Sequence, residues 1–188
     1  MASPWEGARV RLRALEPGDV DAFAAADDDG AGTRSGWRVF PPRPRWAVEE
    51  WVRRTSEATD DGDEFRVVVE ALGSGEVVGT LNTQQCDPVA GTFGYGVTVW
   101  PWHRRCGYGA DAVVVALRYL FGERRYQKCT VGVLAFNEAS LAMHHSLGFV
   151  EEGRIRRSQQ RAGQYWDEVL FGMTVEEFGG RFGFGPLS

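Results

Sequence analysis

The sequence predicts a mixed α/β (α+β) fold with elements in the order βααβββαβαββ, and three observations carry that expectation. Short runs rich in Val, Thr, Phe and Tyr recur between glycine-marked turns, as strands do. Four stretches with helical period or helix-capping residues interrupt them. No segment repeats and no linker-like stretch divides the 188 residues, so residues 1–188 read as one domain.

The elements follow in order. Ala8–Leu15 alternates and reads as a strand. Glu16-Pro17-Gly18-Asp19 opens a helix, with proline near its first position and an acidic first turn. Asp27-Asp28-Asp29-Gly30 ends that helix, because like charges and a glycine favour exit. Residues 30–45 hold Trp37, Phe40, Pro41, Pro42 and Pro44 and suit an irregular loop. An amphipathic helix is expected from Ala47 to Ala58, then an exposed acidic segment over Thr59–Glu64. Phe65–Leu72 and Glu76–Thr83 flank Gly73-Ser74-Gly75 as a hairpin, and Thr92–Val99 is a further strand.

Gly109–Phe121 reads as a strongly apolar helix through Ala112, Val113, Ala116, Leu117 and Leu120. Cys129–Ala135 is a buried type of strand. Asn137–Leu147 is a helix capped by Asn137 at its start and Gly148 at its end. Val150–Gln160 and Gln164–Thr174 close the chain as a hairpin around Arg161-Ala162-Gly163.

Bulk composition excludes several classes of function. A net charge of −5 argues against a dedicated nucleic-acid binder, which usually shows a basic face. Cys86, Cys106 and Cys129 lack metal-ligand spacing, and His103, His144 and His145 complete no ligand set with them, so no metal is expected. The start MASPWEGARV lacks the apolar run of a signal peptide. No stretch approaches the ~20 apolar residues that span a bilayer. The expectation is a cytoplasmic protein with reduced thiols and no membrane partner. A single lysine, Lys128, among 21 basic residues suggests a bacterial high-GC coding bias more than chemistry.

The most informative stretch runs from Val97 to Ala110. A strand ends, a loop carries Arg104 and Arg105, and Gly107 and Gly109 precede a helix. Unpaired first-turn N–H groups, the positive helix end and two arginines together suit an anion. Gly107-x-Gly109-x-x-Ala112 also matches a dinucleotide-binding fingerprint in form. That fingerprint needs its first glycine directly after a strand and an acidic residue at the next strand's tip. Here Trp100 to Cys106 intervene, and the next strand ends near Phe136-Asn137 without a carboxylate. The plainer alternative is a tight turn before a helix.

Arg104-x-x-Gly107-x-Gly109 resembles the Q/R-x-x-G-x-G/A motif of the GNAT (GCN5-related) N-acetyltransferase superfamily. Phe93-Gly94-Tyr95-Gly96-Val97 is similar to that family's central strand. Asn137-Glu138-Ala139-Ser140 with Leu147-Gly148-Phe149 resembles its second motif. Gly163, Asp167 and Phe171, at spacings of four, look like the closing strand of the RimJ/RimL-like branch. The resemblance implies a mostly antiparallel sheet with two splayed parallel strands, acetyl-CoA as cosubstrate and an amine acceptor. A homodimer follows by analogy with the branch.

The resemblance also implies the site. The pyrophosphate would lie on Arg104, Arg105, Cys106, Gly107, Tyr108, Gly109 and Ala110, with pantetheine along Val97, Thr98 and Val99. Asn137 and Ser140 would touch the cofactor, and Ser140, then His144, would protonate the departing thiolate. At ~100° per residue these two lie ~40° apart on their helix. Many family members carry a tyrosine where this chain has His144, and the usual strand glutamate is absent from Thr92-Phe93-Gly94. Glu152 and Asp167 are unsupported candidates for the base. Trp37, Phe40 and Trp46, beside Asp27–Asp29, would line the acceptor's mouth, although such acidic loops are more often solvated faces. The missing tyrosine and glutamate keep a second reading open: a non-catalytic acyl-CoA-binding module of the same fold.

Overall fold

A computed structural model describes residues 3–28, 41–58 and 62–184. Its strands are β1 (Val10–Arg13), β2 (Arg66–Ala71), β3 (Val77–Asp87), β4 (Thr92–Val99), β5 (Lys128–Leu134), β6 (Val150–Arg161) and β7 (Gln164–Thr174). Its helices are α1 (Val20–Asp28), α2 (Arg45–Glu57), α3 (Tyr108–Gly122), α4 (Glu138–Leu147) and α5 (Val175–Phe182). The strands are hydrogen-bonded in the order β1-β2-β3-β4-β5-β7-β6. The β1–β2, β2–β3, β5–β7 and β6–β7 pairs are antiparallel and β4–β5 is parallel. Among the described residues the order βααβββαβαββ is the observed one, followed by α5 as an additional helix.

The described chain divides into two compact units. One holds Gln84–Gly96 and the residues from Ala116 onward; the other holds the residues up to Thr83 and Val97–Val115. In the second, α1 and α2 bury Phe23, Val48 and Val52 with Leu15, Val68 and Trp100. Phe23 meets Trp51 at 5.3 Å and Trp100 edge-on at 5.5 Å. Arg13 ties this unit together: its guanidinium donates to both oxygens of buried Asp19 and to Glu70 on β2. Burial alone would push the Asp19 carboxyl up, but its bonds from Arg13 and from the Glu16 N–H outweigh that and hold it low.

In the first unit the parallel register lies at the start of the two strands, Thr92↔Lys128 and Phe93↔Cys129, whereas β5 pairs along its whole length with β7. Phe93, Phe121, Tyr126 and Phe178 form an aromatic core with ring centroids 5.2–5.5 Å apart. Phe178 brings α5 into that core fully buried. The helix starts at a capping box, in which Thr174 accepts from the Glu177 N–H and Glu177 accepts from the Thr174 N–H. The strand expected to end at Thr83 runs on to Asp87, whose carboxylate then accepts the Val89 and Ala90 N–H groups to turn the chain.

Candidate active site

The glycine loop belongs to the second unit. Trp100 leaves β4 buried, with its N–H on the Val78 carbonyl, and Pro101–His103 follows as a single 3-10 turn. Arg105 then takes φ +64° and Gly107 φ +79°, so two residues two positions apart adopt left-handed backbone. That reversal presents the loop amides ahead of Tyr108, where α3 begins. The N–H groups of Tyr108, Gly109 and Ala110 are its first turn and have no acceptor within the helix. Asp111 is the first whose N–H closes back, onto the Gly107 carbonyl at 3.1 Å.

Arg104, Arg105 and Cys106 are exposed. The Arg9 side chain lies within 3.3 Å of where a Cβ on Gly107 would stand, adding a third guanidinium to the loop's border. A cradle of amides at a helix start, bordered by arginines and turned by a left-handed Gly107, fits a pyrophosphate. Of the strand residues expected beside it, Thr98 is exposed and Val97 and Val99 are half-buried. Trp102 is exposed beside the loop, and Trp100 is a core residue.

Asp111 fixes this loop in place, a role its sequence position does not reveal. Its carboxylate accepts the N–H groups of Ala8, Arg9 and Val10 at 3.1, 2.7 and 3.0 Å. A Cβ on Gly7 would run into that carboxylate.

The residues expected to carry chemistry belong to the first unit. The Asn137 side chain accepts the Ser140 N–H at 3.2 Å and caps α4, and Gly148 ends it at φ +91°. Ser140 is half-buried in the first turn. His144, one turn on, is 3% exposed and stacked between Tyr95 and Phe171. Its Nδ1 lies 2.7 Å from the Ser140 carbonyl, which only accepts, so Nδ1 carries the proton. Nε2 is then an acceptor and receives the Tyr95 O–H at 2.9 Å. Burial, with a smaller push from His145, lowers the His144 pKa despite the bond to Ser140, and burial raises the Tyr95 pKa well above the phenolic range.

Both groups therefore stay neutral, and His144 has both nitrogens engaged inside the core. The Ser140 hydroxyl sits 3.4 Å from Nδ1, where it faces a donor, and its own proton remains available. His145 is exposed, with its ring edge on Phe171.

The acceptor residues are scattered. Trp46 stands 69% exposed in the first turn of α2, while Trp37 and Phe40 lie outside the described residues. Of the acidic mouth, Asp27 is paired with Arg43. Among the described residues no group of three metal-ligating side chains gathers, and no helix is long and apolar enough to cross a membrane.

The sheet is mostly antiparallel and holds one parallel pair, β4–β5. The acetyltransferase (GNAT) domain model matches residues 9–150, and the chain belongs to that family. It is 37% identical over 175 residues to the SPbeta prophage-derived uncharacterized N-acetyltransferase YokL of Bacillus subtilis (strain 168), covering 93% of this chain and 94% of that one. Among solved structures, an acetyltransferase of the GNAT family from Bacillus anthracis superposes with a TM-score of 0.77 at 20% identity, over 92% of this chain and 98% of its own. The spermidine N-acetyltransferase from Vibrio cholerae in complex with CoA and spermine gives 0.75 at 22% identity, over 90% and 97%.

Proposed function

We propose that this chain transfers an acetyl group from acetyl-CoA to a primary amine, either a small molecule or a peptide N-terminus, as one GNAT domain of the RimJ/RimL-like branch. The observation that carries it is the cradle at the start of α3, with Gly107 at φ +79° and arginines on its border. The match over residues 9–150 takes in parts of both compact units and supports the single-domain reading. Gly163, Asp167 and Phe171 support the branch. That the Vibrio cholerae protein of this fold is a spermidine acetyltransferase supports amines as the acceptor class. We take the protein to act in the cytoplasm without nucleic acid or membrane, as a homodimer by analogy with the branch.

In this reading Arg104–Ala110 hold the pyrophosphate and Val97–Val99 the pantetheine arm, while Asn137 and Ser140 contact the acyl end. The bound cosubstrate supplies an activated thioester. Ser140 gives its free hydroxyl proton to the departing sulfur. His144 is its positioning residue, because its Nδ1–H grips the Ser140 carbonyl and fixes that turn. Trp46, exposed in the first turn of α2, is the described residue assigned to the acceptor's approach.

Thiol release from acetyl-CoA is the test, measured against peptides, polyamines, aminoglycosides and amino acids. Turnover with one of these, and loss of acetyl-CoA binding on Gly107→Asp, is the expected result. Tight binding without turnover favours the non-catalytic module, and no binding at all overturns the reading.

A further inference from the structure

The acetyl-transfer reading leaves the amine's proton without a destination, and one face of the first unit's strands offers one. Register places Thr130, Gly132 and Leu134 of β5 on the same face as Gly172, Leu170 and Glu168 of β7. The other face carries Val131, Val133, Val169 and Phe171 and packs on α4 through His144. Gly94 of β4, two residues beyond the Thr92↔Lys128 pair, continues the first face. A Cβ on Gly94 would stand 2.9 Å from the Thr130 carbonyl, so three neighbouring strands present a floor of bare backbone at Gly94, Gly132 and Gly172.

Two carboxylates lie on this floor. Glu152 covers Gly172 and is neutralised by Lys128 at 2.8 Å. Glu168 covers Gly132, where any Cβ would occupy the position of its carboxylate. It is half-buried, and its partner is the Ser158 hydroxyl, which donates to Oε2 at 2.7 Å. Among the described residues no cation pairs with it. A carboxylate held in place by glycine and one hydroxyl, with its second oxygen and its charge uncommitted, is disposed to accept a proton from a cationic amine.

Its position along the strand matters as much. Glu168 is the partner of Leu134, the last residue of β5, and the Leu134 carbonyl accepts the Asn137 N–H at 2.8 Å. The carboxylate and the turn that carries Ser140 are thus anchored to one residue, at the same end of β5. Trp166, two residues before Glu168 on the same face, packs edge-on against Phe136 at 5.1 Å and supplies an apolar wall.

We infer that Glu168 is the acceptor-side catalytic residue: it binds the amine and takes the proton its nitrogen loses. The inference rests on the acetyl-transfer reading. The ammonium first loses one proton to solvent. As the neutral amine forms the N–C bond and the C–S bond breaks, Glu168 gains the further proton that nitrogen sheds and Ser140 gives one to sulfur. Water then restores the Ser140 proton and removes the one on Glu168, so the products are the acetamide and the free thiol. The geometry selects a primary amine with an apolar or aromatic neighbour for Trp166.

The test uses the full chain and whichever amine of the panel is turned over fastest. Glu168→Gln should bind acetyl-CoA with unchanged affinity by calorimetry and lose about 10²–10³-fold in kcat/KM. It should bind the amine alone about tenfold more weakly. Ser158→Ala should slow turnover less than Glu168→Gln does. Unchanged kcat/KM and amine binding in Glu168→Gln, beside an active wild type, overturn the role of Glu168 alone. A wild type inactive on every amine overturns the transferase reading, and the role with it. Should the glutamine variant fail to fold, Glu168→Asp keeps the charge one methylene further back, and wild-type rate in that variant overturns the role.

Discussion

The Tyr95 hydroxyl donates to Nε2 of His144 at 2.9 Å across 49 residues of chain, and so satisfies the imidazole tautomer that the Ser140 carbonyl fixes. Removing that hydroxyl leaves Nε2 as a buried acceptor without a donor. Tyr95→Phe should therefore destabilise the fold by about 1–3 kcal/mol in urea denaturation. The His144 ring should keep its Nδ1–H form in ¹⁵N spectra, because the Ser140 carbonyl still demands it.

The depressed pKa of His144 has a signed consequence for stability. The unfolded chain, with an ordinary imidazole near 6.5, binds the proton more readily than the fold does. Stability should fall as pH drops below about 6.5, and this contribution should level off once pH is below the folded value. Denaturation midpoints of wild type and His144→Gln, taken from pH 8 to pH 5, isolate it. The wild type should show the steeper loss.

Asp19 acts in the opposite pH range. Arg13 and the Glu16 N–H hold its carboxyl below the usual value of 3.8, so its contribution is present above that value and is lost as pH falls through the folded pKa. Asp19→Asn keeps the size of the side chain but removes the charge from a pair in which Asp19 is 7% exposed. The expected loss is about 2–4 kcal/mol at neutral pH. The variant should also show a flatter stability profile between pH 5 and pH 3.

What the sequence made legible is what is local in it. Asn137 and Gly148 bracket α4 because a cap involves residues within one turn, and the loop from Arg104 to Gly109 is contiguous. The helix α5 also had a local signal, the Thr174-to-Glu177 capping box, but its apolar face makes sense only against Phe121. The site residues that escaped are those whose meaning depends on register. Tyr95 meets His144 only once β4 lies under α4, and Glu168 acquires its place only by pairing across from Leu134 beside Gly132. No spacing along the chain encodes either relationship.

Asp111 offers the sharpest separation between holding the fold and holding the cosubstrate. It touches no expected ligand group, yet its two oxygens bind three N–H groups from a segment about 100 residues away. Asp111→Asn keeps one accepting oxygen and turns an NH₂ toward donors, so at least one N–H loses its partner and meets another donor. The cost should be about 2–3 kcal/mol. Because Asp111 anchors the first turn of α3 to residues 8–10, where Arg9 borders Gly107, the loop should loosen as well. Calorimetry with acetyl-CoA should then show affinity at least several-fold weaker at a temperature where the variant is fully folded. Reduced stability with unchanged affinity would instead make Asp111 a purely structural tie, and would mean that the Arg105–Ala110 backbone keeps its shape without it.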